Sequence, residues 1–515
     1  MPIQLNHLFE DKFVRIAAGI VALVLLCKAV LIGLVDLIPE EAYYWNYSQH
    51  LDFGYLDHPP MVAWLGWLST AVFGNTEFAV RLPAFCAWLI LALFMFRLTR
   101  DILGRQAAYG CLILLAVLPI YWSVGFVMTP DAPLYAAWAA VLYYAHRALV
   151  DLKPRAWIGV GIGLGLGLLS KYTMVLLGGA IFAFLLADRS ARKSLTTPGP
   201  YLAAIIAAVL FMPVVIWNFQ NGLSSFAYQS SQRWSLGSDF NLHTLLGSAL
   251  ILLTPLGLWE AFKVIVRLSK SRRRKPAAEP SLQRNTLFAL VFCGIPLSVF
   301  VVHSLFNLTK LNWTGPVWLA VLPWIADRMI VRSPVDTRSP VVSIRRVWAV
   351  SVAFLVAFYP AALLWLLLGA PGMPTDSWHR LPIAWEEFSR EIERVESTIE
   401  RETGVEPLVV GMDKYWIASQ ASFYDIPDED SLVEFAGRNV VGRSALMWSE
   451  WVQADRVSDR TMILVGFEAD DLEKRMISGS FSTLGPIVTQ KITRGSREAG
   501  RFYWRQASAY TPPAG

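Results

Sequence analysis

From Val14 to about Gly369 the chain repeats apolar runs long enough to cross a bilayer, and nothing comparable follows. Each crossing needs roughly 20 residues to span about 30 Å of hydrocarbon. Inside lipid the backbone must satisfy its own hydrogen bonds, which selects α-helices. With 55% hydrophobic and 17% charged residues over 515 positions, too little polar surface is left for an ordinary soluble protein. The pattern predicts a membrane all-α bundle with a soluble tail. Its spans lie near 14–37, 79–98, 107–127, 132–149, 156–170, 172–187, 201–217, 243–266, 285–304, 313–330 and 345–369. That is a bundle of roughly 11 (10–13) transmembrane helices. The short fifth and sixth runs also fit one broken re-entrant pair.

The first run lacks an Ala-x-Ala-like exit and passes straight into charged residues, so it is expected to stay as a helix. Cys27, Cys86, Cys111 and Cys293 all lie in apolar runs, where they read as small core or lipid-facing residues. The tail has no cysteine, so no disulfide framework holds it.

Charge alternates between the connections. Arg97, Arg100 and Arg105, then Arg147, Lys153 and Arg155, then Arg189, Arg192 and Lys193 mark one side. Lys263 to Arg284, with the run Arg272–Lys275, and Arg328, Arg332, Arg338, Arg345 and Arg346 continue it. By the positive-inside rule this side is cytosolic. The amino terminus is then inside, and 38–78, 218–242 and 304–312 are outside. An odd number of spans also puts 372–515 outside. Basic stretches of this kind read as lipid-headgroup anchors rather than nucleic-acid sites.

The expected domains are a catalytic membrane part, 1–371, with a first external loop 38–78, and a soluble extracytoplasmic part, 372–515. In the tail, Trp385–Glu402 carries charge at helical spacing and predicts an amphipathic helix. Pro407–Gly411 and Thr461–Gly466 read as buried strands, with helices at Lys414–Tyr424 and Glu468–Met476. The alternation predicts a small α/β domain with a structural or acceptor-docking role.

The first loop carries the most chemistry. Pro39-Glu-Glu-Ala-Tyr-Tyr-Trp45 sets two carboxylates where the first helix leaves the membrane, and Asp52 to Pro60 follows as Asp-Phe-Gly-Tyr-Leu-Asp-His-Pro-Pro. Burying Glu40 and Glu41 in lipid is costly, so they face water or a polar cavity. Transfer of a sugar to a hydroxyl needs a carboxylate to accept the proton. Planar faces against the sugar can come from Tyr43, Tyr44 and Trp45, and two prolines stiffen the turn holding Asp57 and His58. On pattern alone an interfacial loop with an aromatic belt fits equally well.

Glu-Ala-Tyr-Tyr-Trp at 41–45, Gly-Tyr-x-Asp-His-Pro-Pro at 54–60 and Thr-Pro-Asp-Ala-Pro-Leu at 129–134 resemble bacterial members of the dolichyl-phosphate-mannose protein mannosyltransferase superfamily. The aminoarabinose transferases acting on lipid A are relatives. The resemblance continues through Ser170-Lys171-Tyr172, Trp217-Asn218 and Asn312-Trp313, with a soluble tail after the membrane core. It implies a GT-C fold and an inverting enzyme that uses polyprenyl-phosphate sugars, with a divalent metal in some members. The family usually has Asp-Glu where this chain has Glu40-Glu41, and the resemblance implies that the first carboxylate is the catalytic one; glutamate reaches one methylene further, which leaves the base open between Glu40 and Glu41.

Asp131 reads from pattern as a helix cap; the resemblance implies a second active-site carboxylate. Lys171, beside Tyr172, breaks a long apolar region, and a lysine at membrane depth marks a site or a snorkelling end. A departing polyprenyl phosphate needs a cation, for which Lys171 is the first candidate and Lys310 and Arg233 are the next. Tyr55 and Asn312 complete the expected substrate-binding set. His303 reads as a satisfied interface histidine. No glycine-rich nucleotide loop or Asp-x-Asp setting is evident, which suits a donor presented from the membrane. The expected partners are a polyprenyl-phosphate-linked sugar, a lipid or glycan acceptor such as lipid A, and membrane lipids, with no nucleic acid. The competing readings are a protein O-glycosyltransferase, a transporter or flippase for a lipid-linked glycan, and a scaffold built on the tail.

Overall fold

The computed structural model describes residues 2–232, 240–273, 280–330, 344–425, 434–457 and 460–512. Arg233, Arg274, Lys275, Arg332 and Arg338 therefore lie outside the described residues. The main helices begin with α1 (Pro2–Leu31), α2 (Pro39–Gln49), α3 (Met61–Phe73), α4 (Glu77–Leu103) and α5 (Arg105–Val117). Then come α6 (Pro119–Val124), α7 (Asp131–Leu149), α8 (Ala156–Ser170), α9 (Val175–Ala187) and α10 (Gly199–Gln220). The last are α11 (Leu242–Arg273), α12 (Pro280–Ser304), α13 (Leu322–Ile330), α14 (Ile344–Leu367), α15 (Trp385–Thr403) and α16 (Trp416–Tyr424). Among the described residues six helices are long and apolar enough to cross a membrane, or up to seven if the bent pair Tyr172–Ala187 and Arg189–Thr196 forms one span. This is a multi-pass membrane protein.

Several expected helices are divided. The run 107–127 breaks at Leu118, whose extended backbone is what a following proline imposes. α11 kinks at Thr254 (φ 64°), just before Pro255. The run 313–330 becomes a 3-10 turn, Gly315–Ala320, followed by α13. At Gly315 a Cβ would lie 1.8 Å from the Tyr135 hydroxyl, so only glycine admits that approach. The segment 38–78, expected as a loop, contains the helices α2 and α3. Pro39 at the first turn and the acidic pair after it favour the start of α2.

The chain divides into two compact units: Met1–Val30, His58–Met61 and Leu82–Pro360 form the first, and Leu31–Asp57, Val62–Arg81 and Ala361–Gly515 the second. In the first unit the glycines of α8 let its neighbours approach. A Cβ at Gly161 would lie 2.7 Å from the Ala203 carbonyl of α10, and one at Gly163 would lie 2.7 Å from the Val141 side chain of α7. Small residues at such crossings bring helix backbones together where lipid offers no hydrophobic drive. Leu23, Leu26 and Val30 of α1 stay exposed, a face suited to lipid.

The second unit holds a six-stranded sheet of β1 (Leu408–Gly411), β2 (Phe435–Gly437), β3 (Met462–Gly466), β4 (Phe481–Leu484), β5 (Val488–Arg494) and β6 (Arg497–Tyr510). Its order is β2-β1-β3-β6-β4, with β5 also paired to β6. β1 runs parallel to both β2 and β3, and both it and β3 are buried throughout, as covered parallel strands are. α15 follows its expected span, burying Trp385, Phe388, Ile392, Val395 and Ile399 along one stripe and ending at Gly404 (φ 71°). The helix expected over Glu468–Met476 is instead a 3-10 turn, Ala469–Leu472, and a short helix, Arg475–Ser480. The antiparallel strands β4 to β6 have no counterpart in the sequence reading.

Candidate active site

Two constellations gather the chemistry, one in each unit. In the second unit, α2 sets its two glutamates on different faces. Glu41 is fully buried and meets the equally buried Arg81: Nε donates to Oε1 at 2.9 Å and Nη2 to Oε2 at 2.7 Å. The guanidinium also donates to the carbonyls of Ile32, Val35 and Asp36 at 2.7–3.0 Å, closing the turn between α1 and α2. Glu41 Oε2 further accepts the Ile38 N–H at 3.2 Å, one of the donors a helix start leaves open. Glu40 is half-buried, and its Oε1 lies 3.4 Å from the Tyr415 hydroxyl. Nothing in the sequence connects Arg81 to Glu41.

The same unit holds the aromatic residues of the loop. Tyr43 and Trp45 are buried in packing, while Tyr44 is half-buried. The Tyr43 hydroxyl donates to Asp57 Oδ1 at 3.3 Å, and the Tyr47 hydroxyl donates to the same oxygen. Burial, then the charge of Asp57, holds both phenols well above their usual range. Tyr55 is buried, its hydroxyl donating to the carbonyls of Tyr47 and His50 at 3.0 and 2.9 Å. Asp36 accepts the Trp385 N–H at 2.8 Å at the start of α15, and burial pushes its carboxyl up to about 6.

α16 braces α2 along its length. The Leu37 N–H donates to the Tyr424 hydroxyl at 2.8 Å, and Gln420 Nε2 donates to the Leu37 carbonyl at 2.7 Å. Asn46 Nδ2 donates to the Ser419 carbonyl at 3.2 Å, and Ser422 Oγ donates to Asn46 Oδ1 at 3.0 Å.

In the first unit, Asp131 opens α7. It accepts from Lys171 Nζ at 2.9 Å and from Asn312 Nδ2. Lys171 sits in extended backbone between α8 and a 3-10 turn, with Asp131 and Lys171 both largely buried. The Tyr172 hydroxyl lies 2.8 Å from Ser225 Oγ. Beside Lys171 a cleft of about 690 Å³, open mouth included, is lined by His58, Tyr172, Gln229 and Trp313 on its polar side and by apolar residues such as Val175 and Phe300. Lys310 is exposed, and His303 meets Thr309 Oγ1 at 3.0 Å through Nδ1. The structure thus brings Asp131, Lys171 and Asn312 together and puts His58 and Tyr172 on the cleft wall. Gln229 and Ser225 are additions that only a general external-loop signal had hinted at.

Among the described residues no group of three or more His, Cys, Asp or Glu side chains can hold a metal ion. Both Asp131 oxygens are engaged by nitrogen donors, one of them cationic, an environment that does not fit a divalent ion.

The family model described as dolichyl-phosphate-mannose-protein mannosyltransferase matches residues 57–217. A lipid A galacturonosyltransferase of Rhizobium johnstonii is 28% identical over 213 residues, covering 39% of this chain and 42% of that protein. The chain thus spans less than half the length of this relative. A lipopolysaccharide core galacturonosyltransferase of the same organism is 24% identical over 365 residues, covering 69% of this chain and 71% of that protein. Crystal structures of ArnT from Cupriavidus metallidurans, in the apo state and bound to undecaprenyl phosphate, superpose with TM-scores of 0.62 and 0.63 at 14% and 15% identity. Both superpositions cover 95% of this chain and 97% of ArnT.

Fold and site define a polytopic membrane protein of the GT-C type. The matched segment is similar to the mannosyltransferase family model, and the chain is similar in sequence to the lipid A and lipopolysaccharide core galacturonosyltransferases.

Proposed function

We propose that this chain is an inverting glycosyltransferase that moves a sugar from a polyprenyl-phosphate donor to a lipid or saccharide acceptor on the outer face of the inner membrane. The observation that carries the reading is the cleft beside Lys171: a buried ammonium at the head of an apolar groove suits a phosphate with an isoprenoid tail. The undecaprenyl phosphate bound to ArnT, which shares the fold, supports it. The names of the two curated relatives favour lipid A or the lipopolysaccharide core as acceptor and a uronosyl group as the sugar.

The base is assigned to Glu40. Glu41 is committed to Arg81 and to the start of α2, and moving it would strand a buried cation. In the reaction the acceptor hydroxyl gives its proton to the Glu40 carboxylate as its oxygen bonds to the anomeric carbon. The bond from that carbon to the phosphate oxygen breaks with its electron pair, so polyprenyl phosphate leaves as the anion and the configuration inverts. Lys171 offsets the charge gathering on the phosphate, and Asp131 and Asn312 hold the ammonium in place. His58, Tyr172 and Gln229 offer polar contacts along the cleft. The helices α5, α7, α8 and α9 and the segment of the 3-10 turn Gly315–Ala320 with α13 are read as five further crossings beside the six long ones, giving roughly eleven spans. Residues 1–371 then form the catalytic membrane domain, and 372–515 form the periplasmic one.

The test is mass spectrometry of envelope glycolipids from cells carrying the wild-type protein, Glu40→Gln, Glu41→Gln or none. One sugar should be missing without the protein and with Glu40→Gln, whose purified form should melt near wild type. Full modification by Glu40→Gln would remove Glu40 as the base.

A further inference from the structure

The residue that approaches Glu40 comes from the tail, at a separation of 375 positions. Tyr415 sits in a turn fixed by the half-buried Asp413. Its Oδ2 accepts the N–H groups of Tyr415 and Trp416 at 2.9 and 2.7 Å, and its Oδ1 accepts that of Ile417 at 3.0 Å. Three such bonds to one carboxylate leave the turn little freedom. The Tyr415 ring rests on Tyr43 with centroids 4.5 Å apart, and Tyr43 is itself held by Asp57 and by the Met447 N–H at 3.3 Å. Ring and turn therefore aim the phenol at the half-buried carboxylate, and α16, which starts in this turn, braces the entry to α2 at Leu37 and α2 itself at Asn46. A phenol next to a carboxylate donates to it and selects one rotamer of an otherwise flexible side chain.

We propose that Tyr415 is a positioning residue of the glycosyl transfer, which makes the soluble domain a working part of the active site. It holds Glu40 in the rotamer that receives the acceptor proton. The proposal rests on Glu40 being the base. A 3.4 Å contact in the resting protein is one that shortens when charge and substrate are in place.

The test is a mutant cycle on the full-length protein in detergent or nanodiscs, with transfer followed at saturating donor and acceptor. Tyr415→Phe keeps the ring on Tyr43 and removes only the donor. It should lower kcat about tenfold with KM for the donor unchanged and the melting curve unmoved. Glu40→Asp draws the carboxylate back by one methylene, out of reach of the phenol. Adding Tyr415→Phe to it should then cost nothing more. A Tyr415→Phe enzyme with wild-type kcat overturns the proposal, as does a tenfold loss that multiplies undiminished onto Glu40→Asp. If Glu40→Gln is itself fully active, the base assignment fails, whatever Tyr415 does.

Discussion

A helix turns through about 100° per residue, so two adjacent glutamates at the start of α2 meet different surroundings. The sequence left Glu40 and Glu41 as alternatives because adjacency says nothing about partners. The structure separates them through Arg81, 40 residues away from Glu41. Removing one member of such a pair leaves a buried charge uncompensated, which costs about 3–5 kcal/mol. Arg81→Ala should therefore lower the melting temperature well beyond what any Glu40 substitution does. Arg81→Lys should recover only part of it, since an ammonium cannot serve the carboxylate and three carbonyls at once. Thermal unfolding of the purified variants checks this, and an Arg81→Ala protein as stable as wild type would contradict the assigned role. Asp131 and Lys171 were each visible as costly polar residues. Their 2.9 Å contact was not, because it joins the first turn of α7 to the end of α8.

Elements were most legible where periodicity was strong. α15 shows its helical spacing in the sequence, and the structure realises it as a buried stripe. α2 was missed because it is buried on most sides and so lacks the one-sided pattern that marks a surface helix. On α15, Glu396 breaks the apolar stripe at little exposure. Burial, then the charges of Asp425, Glu434, Glu406 and Glu393, pushes its carboxyl up to about 9. A carboxyl whose pKa is raised by folding binds its proton more tightly in the native state. Its effect is absent below the unfolded value near 4.5, and stability falls as pH climbs from there toward 9. Glu396→Gln removes that slope. The variant should be more stable than wild type by roughly 1–3 kcal/mol at pH 8 and nearly equal to it at pH 4.5. Unfolding curves at the two pH values test this, and equal melting at pH 8 would refute it.

For the whole molecule, the charge asymmetry of the connections makes a prediction of its own. Alkaline phosphatase fused after Gly404 or Tyr510 should be active, because it is exported, and fusions after Thr196 or Arg272 should be inactive. The opposite pattern would invert the topology and remove the first external loop from the periplasmic side.

Sequence by itself determined that this is a multi-pass membrane protein and that it is mostly helical, because apolar length acts locally and adds along the chain. It also supplied the motifs around Glu40, Asp57, Asp131 and Lys171. Tertiary structure alone decided which of these groups meet. It tied Glu41 to Arg81, aimed Tyr415 at Glu40, paired Lys171 with Asp131 and built an antiparallel half of the tail sheet that has little hydrophobic signal. The physical reason is range. Burial preference is written in each residue, whereas a hydrogen bond or an ion pair needs two side chains within about 3 Å, a condition only the folded backbone can set.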